Sequence, residues 1–163
     1  MSMPVLSKIN AVLVRAASGM TAAALAVIAA VVPYEVFGRY VLGDMPVWSG
    51  EAATFSLVWA SMMGGAVGLR KGYQVSLNLM MNKLPEIPYR VVTGCMYAGM
   101  LVFLGAMTWF GILQTLVNMH QRSTAIGIPM SLPYLALPAG FLLMLSITVE
   151  QCWMFFQSQS RGG

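Results

Sequence analysis

The sequence predicts an all-α integral membrane protein with four transmembrane helices. Three observations carry this. Of 163 residues 58% are hydrophobic and 9% charged, against about 45–50% apolar and 25% charged in a soluble domain, so the chain has too few charges to dress a water-facing surface. Those charges cut the chain into four long uncharged runs, each long enough, against the roughly 20 residues required, to cross a bilayer core as a helix. The links between the runs then alternate in charge, as the links of a membrane bundle do.

The first uncharged run lies between Arg15 and Glu35 and holds 19 residues, Ala16 to Tyr34; with the chain continuing past Pro33, the first span is placed at about 16–42. Lys8 and Arg15 before an Ala-rich stretch also resemble a cleavable signal peptide, but the run exceeds the usual 7–15 residue apolar region and no cleavage site follows, so a retained anchor is expected. The second run, Ala52 to Leu69, has 18 residues, about 27 Å of helix, and places a span at about 48–69. The third, within Val91 to Met119, has 29, more than the core requires, so the helix over 91–119 tilts or protrudes. The fourth span, about 132–156, is approached through Pro129, Pro133 and Pro138. Ser131 is placed to cap it, and Pro138 to leave the carbonyl of Tyr134 unpaired and favour a kink. With no repeat and short links, residues 1–163 read as a single four-helix membrane domain.

Lys8 and Arg15 flank the N-terminal side of span one, Arg39 stands against Glu35, Asp44 and Glu51 in the first link, and Arg70, Lys71, Lys83 and Arg90 stand against Glu86 in the second. Lys and Arg accumulate on the cytoplasmic side, so both termini and the second link are expected to be cytoplasmic, with Arg70, Lys71, Lys83 and Arg90 setting topology and meeting phospholipid headgroups. Within that link Leu77, Met80, Met81 and Leu84 follow i, i+3, i+4, i+7 spacing, which predicts a short interfacial helix over about 76–84. Val75 to Leu79 also alternates with period two, so a strand stays open.

Several functions are excluded. The basic residues flank apolar runs instead of clustering with aromatics, which argues against nucleic acid. Two Cys without a C-x-x-C pair and one His provide no disulfide framework, haem or metal site, and no glycine-rich phosphate loop is present. No catalytic residue, cofactor or metal is expected, and the chain does not read as an enzyme. The span centres, around Leu25, Ala60, Gly105 and Leu143, are apolar or small, whereas a carrier places ionisable or broken-helix sites at that depth; this points to a supporting protein. Ala60, Gly64 and Gly68 recur every four residues with Ser61 and Gly65 beside them, a stripe along which helices can approach closely, either within the bundle or against another subunit. Cys95 and Cys152 read as small apolar fillers. Glu35 and Arg39 have the spacing of a helical ion pair, Glu51 opens span two where it would complement the helix dipole, and Tyr34, Tyr40 and Trp48 suit an aromatic belt. His120 beside Gln121 and Arg122 reads as a solvated loop residue.

Phe37-Gly38-Arg39-Tyr40 followed by Trp48-Ser49-Gly50-Glu51-Ala52 resembles the small membrane subunit of tripartite ATP-independent periplasmic (TRAP) transporters, the DctQ-like family. The resemblance continues through Gly64-Gly65-Ala66, Leu69-Arg70-Lys71-Gly72, Val75-Ser76-Leu77-Asn78-Leu79, Gly127-Ile128-Pro129 and Leu137-Pro138-Ala139-Gly140. Tyr73, Gln74 and Asn78 depart from it, where a His and often an Asp would be expected. It implies a multi-pass subunit of a bacterial inner membrane that joins a larger, DctM-like transport subunit. A DctP-like periplasmic solute-binding protein would deliver an organic acid, and sodium would drive uptake. The larger subunit would move in an elevator-like manner while this one extends the stationary scaffold. Arg39, Tyr40, Trp48 and Glu51 would then face a partner on the periplasmic side. The alternative is a small homodimeric proton-coupled exporter using a membrane carboxylate. It would need an acid deep in the first span, whereas Glu35 follows 19 uncharged residues and has Arg39 nearby.

Overall fold

In a computed structural model the backbone is described over residues 4–43, 46–81 and 86–160, and the side chains over 6–43, 46–72 and 91–157. Four long helices account for nearly all of it: α1 (Pro4–Phe37), α2 (Val47–Met81), α3 (Glu86–Val117) and α4 (Ser131–Ser160). All four are long and apolar enough to cross a bilayer, over Leu6–Leu42, Val47–Gly72, Val91–His120 and Ser131–Gln157.

Local chemistry explains where the helices end. α1 passes through Pro33 and then widens into a π turn, Gly38–Leu42, which Gly43 closes in the left-handed region at φ 68°. α2 begins just after Pro46, whose carbonyl accepts from both the amide (3.2 Å) and the hydroxyl (2.7 Å) of the fully buried Ser49. Ser131 is the first helical residue of α4, and the Met130 carbonyl receives the Tyr134 amide at 3.4 Å. α4 continues through Pro138.

The second link differs from the expectation of a separate interfacial helix over 76–84. Residues 76–81 continue α2 without a break, which excludes a strand over 75–79, while 82–84 lie outside the described residues. The physical reason is that Gly72 by itself costs a helix only about 1 kcal/mol, and the Leu, Met and Gln residues beyond it favour helix. At 35 residues, α2 is about 52 Å long.

The bundle is assembled as two helix pairs, α1 with α2 and α3 with α4, joined where α2 crosses α4. Ala17, Met63, Ala66, Leu143 and Ile147 form the buried centre, with Val14, Trp59 and Met144 packed around it. Backbones come closest at glycines. A Cβ on Gly140 would stand 2.8 Å from the Met62 Cβ, and one on Gly111 would stand 3.2 Å from the Pro138 nitrogen. α3 therefore nestles against α4 where proline has no N–H to offer. The outward faces carry large apolar side chains such as Val102, Trp109, Phe110 and Val117, as expected where the solvent is lipid.

Candidate functional site

Two polar clusters stand at opposite ends of the bundle, each built around a glutamate. At the first, the link between α3 and α4 folds back on itself. Met130 donates its amide to the Gln121 carbonyl and Ser123 donates to that of Ile128, both at 2.9 Å, forming a bridge between Arg122 and Pro129. Gly127 makes the turn at φ 75°. The tip of this loop lies over α2 and surrounds Glu51. Its Oε1 accepts from the Thr124 hydroxyl and the Ala125 amide at 3.1 Å each, and its Oε2 from the Ile126 amide at 3.1 Å and from the Ser123 hydroxyl.

The expectation that Glu51 complements the dipole of its own helix is thereby corrected. α2 starts at Val47, and no acidic residue falls in its first turn. The carboxylate instead serves loop donors more than 70 residues away in sequence. Both of its oxygens are occupied by the chain itself.

Near that end, Arg39 lies on the π turn, exposed, with its guanidinium carbon 5.9 Å from the centre of the Tyr40 ring. No ion pair joins Arg39 to Glu35 among the described residues, because the wider turn breaks the i, i+4 geometry on which that pair depends. Tyr40 is 78% exposed. Trp48 pairs with Tyr34, ring centres 6.1 Å apart, and with Ala30 and Val31 these two line a shallow apolar groove between α1 and α2. The structure thus brings Trp48 to Tyr34 and Arg39 to Tyr40. His120 is exposed in a short 3-10 turn.

At the other end Glu150 of α4, a charge near the end of the fourth span, is buried. Its Oε2 accepts a hydrogen bond from the side-chain amide of Asn10 at 2.6 Å and stands 3.9 Å from the guanidinium of Arg70. Asn10, fully buried on α1, also donates to the Ser146 carbonyl at 3.2 Å and accepts from the Ser146 hydroxyl at 3.1 Å. Gln151 reaches the Leu69 carbonyl at 3.5 Å. Three helices therefore meet in one polar node. Arg70, expected at the lipid headgroups, turns toward α4, while Lys71 is exposed. Lys83 and the side chain of Arg90 lie outside the described residues.

Asn10 and Ser146 escaped the sequence reading. The one signal available was a lone Asn in the apolar approach to span one, and Ser146 and Glu150 spaced i, i+4. The small-residue stripe divides into three environments: Ala60 is buried, Gly64 faces the Thr21 methyl of α1 at 3.4 Å from an added Cβ, and Gly68 has nothing within 4 Å. Gly65 instead meets the flexible end of Met144. Cys95 is an exposed free thiol and Cys152 a half-buried one. Among the described residues, no three His, Cys, Asp or Glu side chains converge.

Residues 28–158 match the DctQ component of tripartite ATP-independent periplasmic transporters. The chain is 33% identical over 115 residues to the C4-dicarboxylate TRAP transporter small permease protein DctQ of Rhodobacter capsulatus, covering 68% of this chain and 47% of that one. It is 24% identical over 132 residues to the sialic acid TRAP transporter small permease protein SiaQ of Vibrio cholerae, covering 81% and 76%. It is 26% identical over 104 residues to the isethionate TRAP transporter permease protein DctMQ of Oleidesulfovibrio alaskensis, covering 60% and 16%. The chain thus spans about half the length of the Rhodobacter relative and about three quarters of the Vibrio one. The match favours a transporter component over the proton-coupled exporter and over any enzyme. With four helices able to cross a bilayer, the chain is a multi-pass membrane protein belonging to the DctQ family, the small permease component of TRAP transporters.

Proposed function

We propose that this chain is the stationary scaffold subunit of a sodium-driven transporter in a bacterial inner membrane. It holds a larger DctM-like subunit, and the complex takes up organic acids delivered by a periplasmic solute-binding protein. The observation that carries the scaffold role is that the two glutamates at the ends of the bundle are occupied by the chain itself. Glu51 is filled by loop donors, and Glu150 by an amide beside an arginine. A carrier keeps ionisable groups at membrane depth for its substrate or ion; here the carboxylates tie the chain to itself. The relative named DctMQ supports a DctM-like partner. Relatives named for a C4-dicarboxylate, sialic acid and isethionate support an acidic substrate.

In this reading the Glu51 end is periplasmic. Arg39, Tyr40 and Trp48 face the larger subunit or the docked binding protein there, with the loop that Glu51 secures beside them. The Glu150 end and both termini are cytoplasmic, where Lys71, Lys83 and Arg90 meet phospholipid headgroups. Reconstitution in liposomes under a sodium gradient, with and without the larger subunit and binding protein, tests the role. Uptake is expected only with all three components, and uptake by this chain alone would refute it. Orientation is tested in intact cells after Cys95→Ser and Cys152→Ser. An impermeant thiol reagent is expected to label Gln121→Cys and spare Lys71→Cys, both exposed sites; the reverse pattern would invert the topology.

A further inference from the structure

α1 is the least buried of the four helices: among its described residues, Asn10 and Ala17 alone are buried. It lies along α2 through small contacts, such as the Thr21 methyl over Gly64. Most of its surface is Ala, Val and Leu. Lipid tails are as apolar as these side chains, so turning such a helix about its axis exposes little that the bilayer disfavours. Ala17 enters the buried centre and Tyr34 pairs with Trp48; the polar, directional contact is Asn10. Among the described residues, every hydrogen bond between α1 and α4 is made by its amide: two donated, to Glu150 and to the Ser146 carbonyl, and one accepted from the Ser146 hydroxyl. Any turn that broke these bonds would take the amide from its partners and leave a buried carboxylate short of a donor.

We propose that Asn10 fixes the rotation of α1 about its own axis, as a positioning residue acting through Glu150. The same amide holds the Glu150 carboxylate beside Arg70, so one side chain sets which face α1 turns outward and steadies the link between α2 and α4. The consequence for transport rests on the scaffold reading: a scaffold helix that turns freely cannot present a constant face to a moving partner.

The test uses the full chain in nanodiscs, with Cys95→Ser and Cys152→Ser and nitroxide labels at Ala22→Cys and Val102→Cys, both at exposed positions. Pulsed spin-spin distance measurement is expected to give one narrow distribution. With side chains a helix is about 10–12 Å across, so rotation can move a label on α1 by up to about 10 Å. Asn10→Leu is expected to broaden the distribution on that scale. The exchange Asn10→Asp with Glu150→Gln restores one amide-to-carboxylate bond across the same interface, without the donation to the Ser146 carbonyl, and is expected to give a distribution narrower than Asn10→Asp alone, which sets two carboxylates together and is expected to be broad. A narrow, unshifted distribution in Asn10→Leu would overturn the proposal, as would a folded exchange variant as broad as Asn10→Asp. These distances need no partner, so they stand apart from the transport reading. In the reconstituted complex, Asn10→Leu is expected to lower uptake severalfold at unchanged complex yield, and the exchange variant to exceed Asn10→Asp.

Discussion

At one end of the bundle a helix carboxylate gathers four donors from a single loop; at the other, a helix carboxylate is held by side chains from two other helices. Glu51 draws on residues 123–126, consecutive in the chain. Glu150 draws on Asn10, 140 residues away, and on Arg70. The first arrangement orders a surface loop and can be lost without opening the bundle. The second joins α1, α2 and α4, and its loss leaves Arg70 with no counter-charge among the described residues. The same residue type thus shapes a surface at one end and secures the helices at the other.

The largest effect is expected at the three-helix node. Glu150→Leu strands Arg70 and Asn10, and truncating one member of a buried pair costs about 3–5 kcal/mol; partial exposure of Arg70 places this variant at the low end. Adding Arg70→Met is expected to recover much of the loss, because a pair replaced by apolar side chains is often neutral. Thermal unfolding in nanodiscs measures both, and a double variant no better than the single one would show that the ion pair is not what holds the node.

The next effect belongs to neither end. Gly140→Leu drives a branched side chain into Met62 and is expected to cost about 1–3 kcal/mol. Gly68→Leu, with open space around it, should remain within about 0.5 kcal/mol, and Gly64→Leu should fall between them. If Gly68→Leu reduced recovery of the larger subunit without destabilising the isolated chain, that part of the stripe would face the partner.

Glu51→Ala sharpens the contrast at the loop end. Amide exchange at Ala125 and Ile126 should rise to that of an unprotected loop while the unfolding temperature of the bundle changes little, which hydrogen-exchange mass spectrometry and thermal melting report together. A large fall in melting temperature would make the two ends equivalent. A small stability effect is expected for Arg39→Ala, since an exposed cation over an aromatic ring contributes about 0.5–1 kcal/mol at most. Loss of coupled uptake at unchanged stability in that variant would assign Arg39 to docking.

The sequence made the class and the number of helices legible, because both follow from quantities local to the chain: long uncharged runs, and charges confined to their flanks. It also carried the family, through an ordered set of short motifs from Phe37 to Gly140. It did not determine which faces meet. A helix surrounded by lipid is apolar on nearly every side, so its periodicity does not mark an inward face as it does in a soluble bundle. The stripe at Ala60, Gly64 and Gly68 is therefore visible in the sequence, while Gly140 and Gly111 are the glycines set against firm neighbours, Met62 and Pro138, of other helices. Glu51 and Glu150 were each legible as a charge near a helix end. That one holds a loop and the other a helix crossing emerges in the folded bundle, because steric fit and polar pairing between distant segments select the contacts that an apolar solvent leaves unspecified.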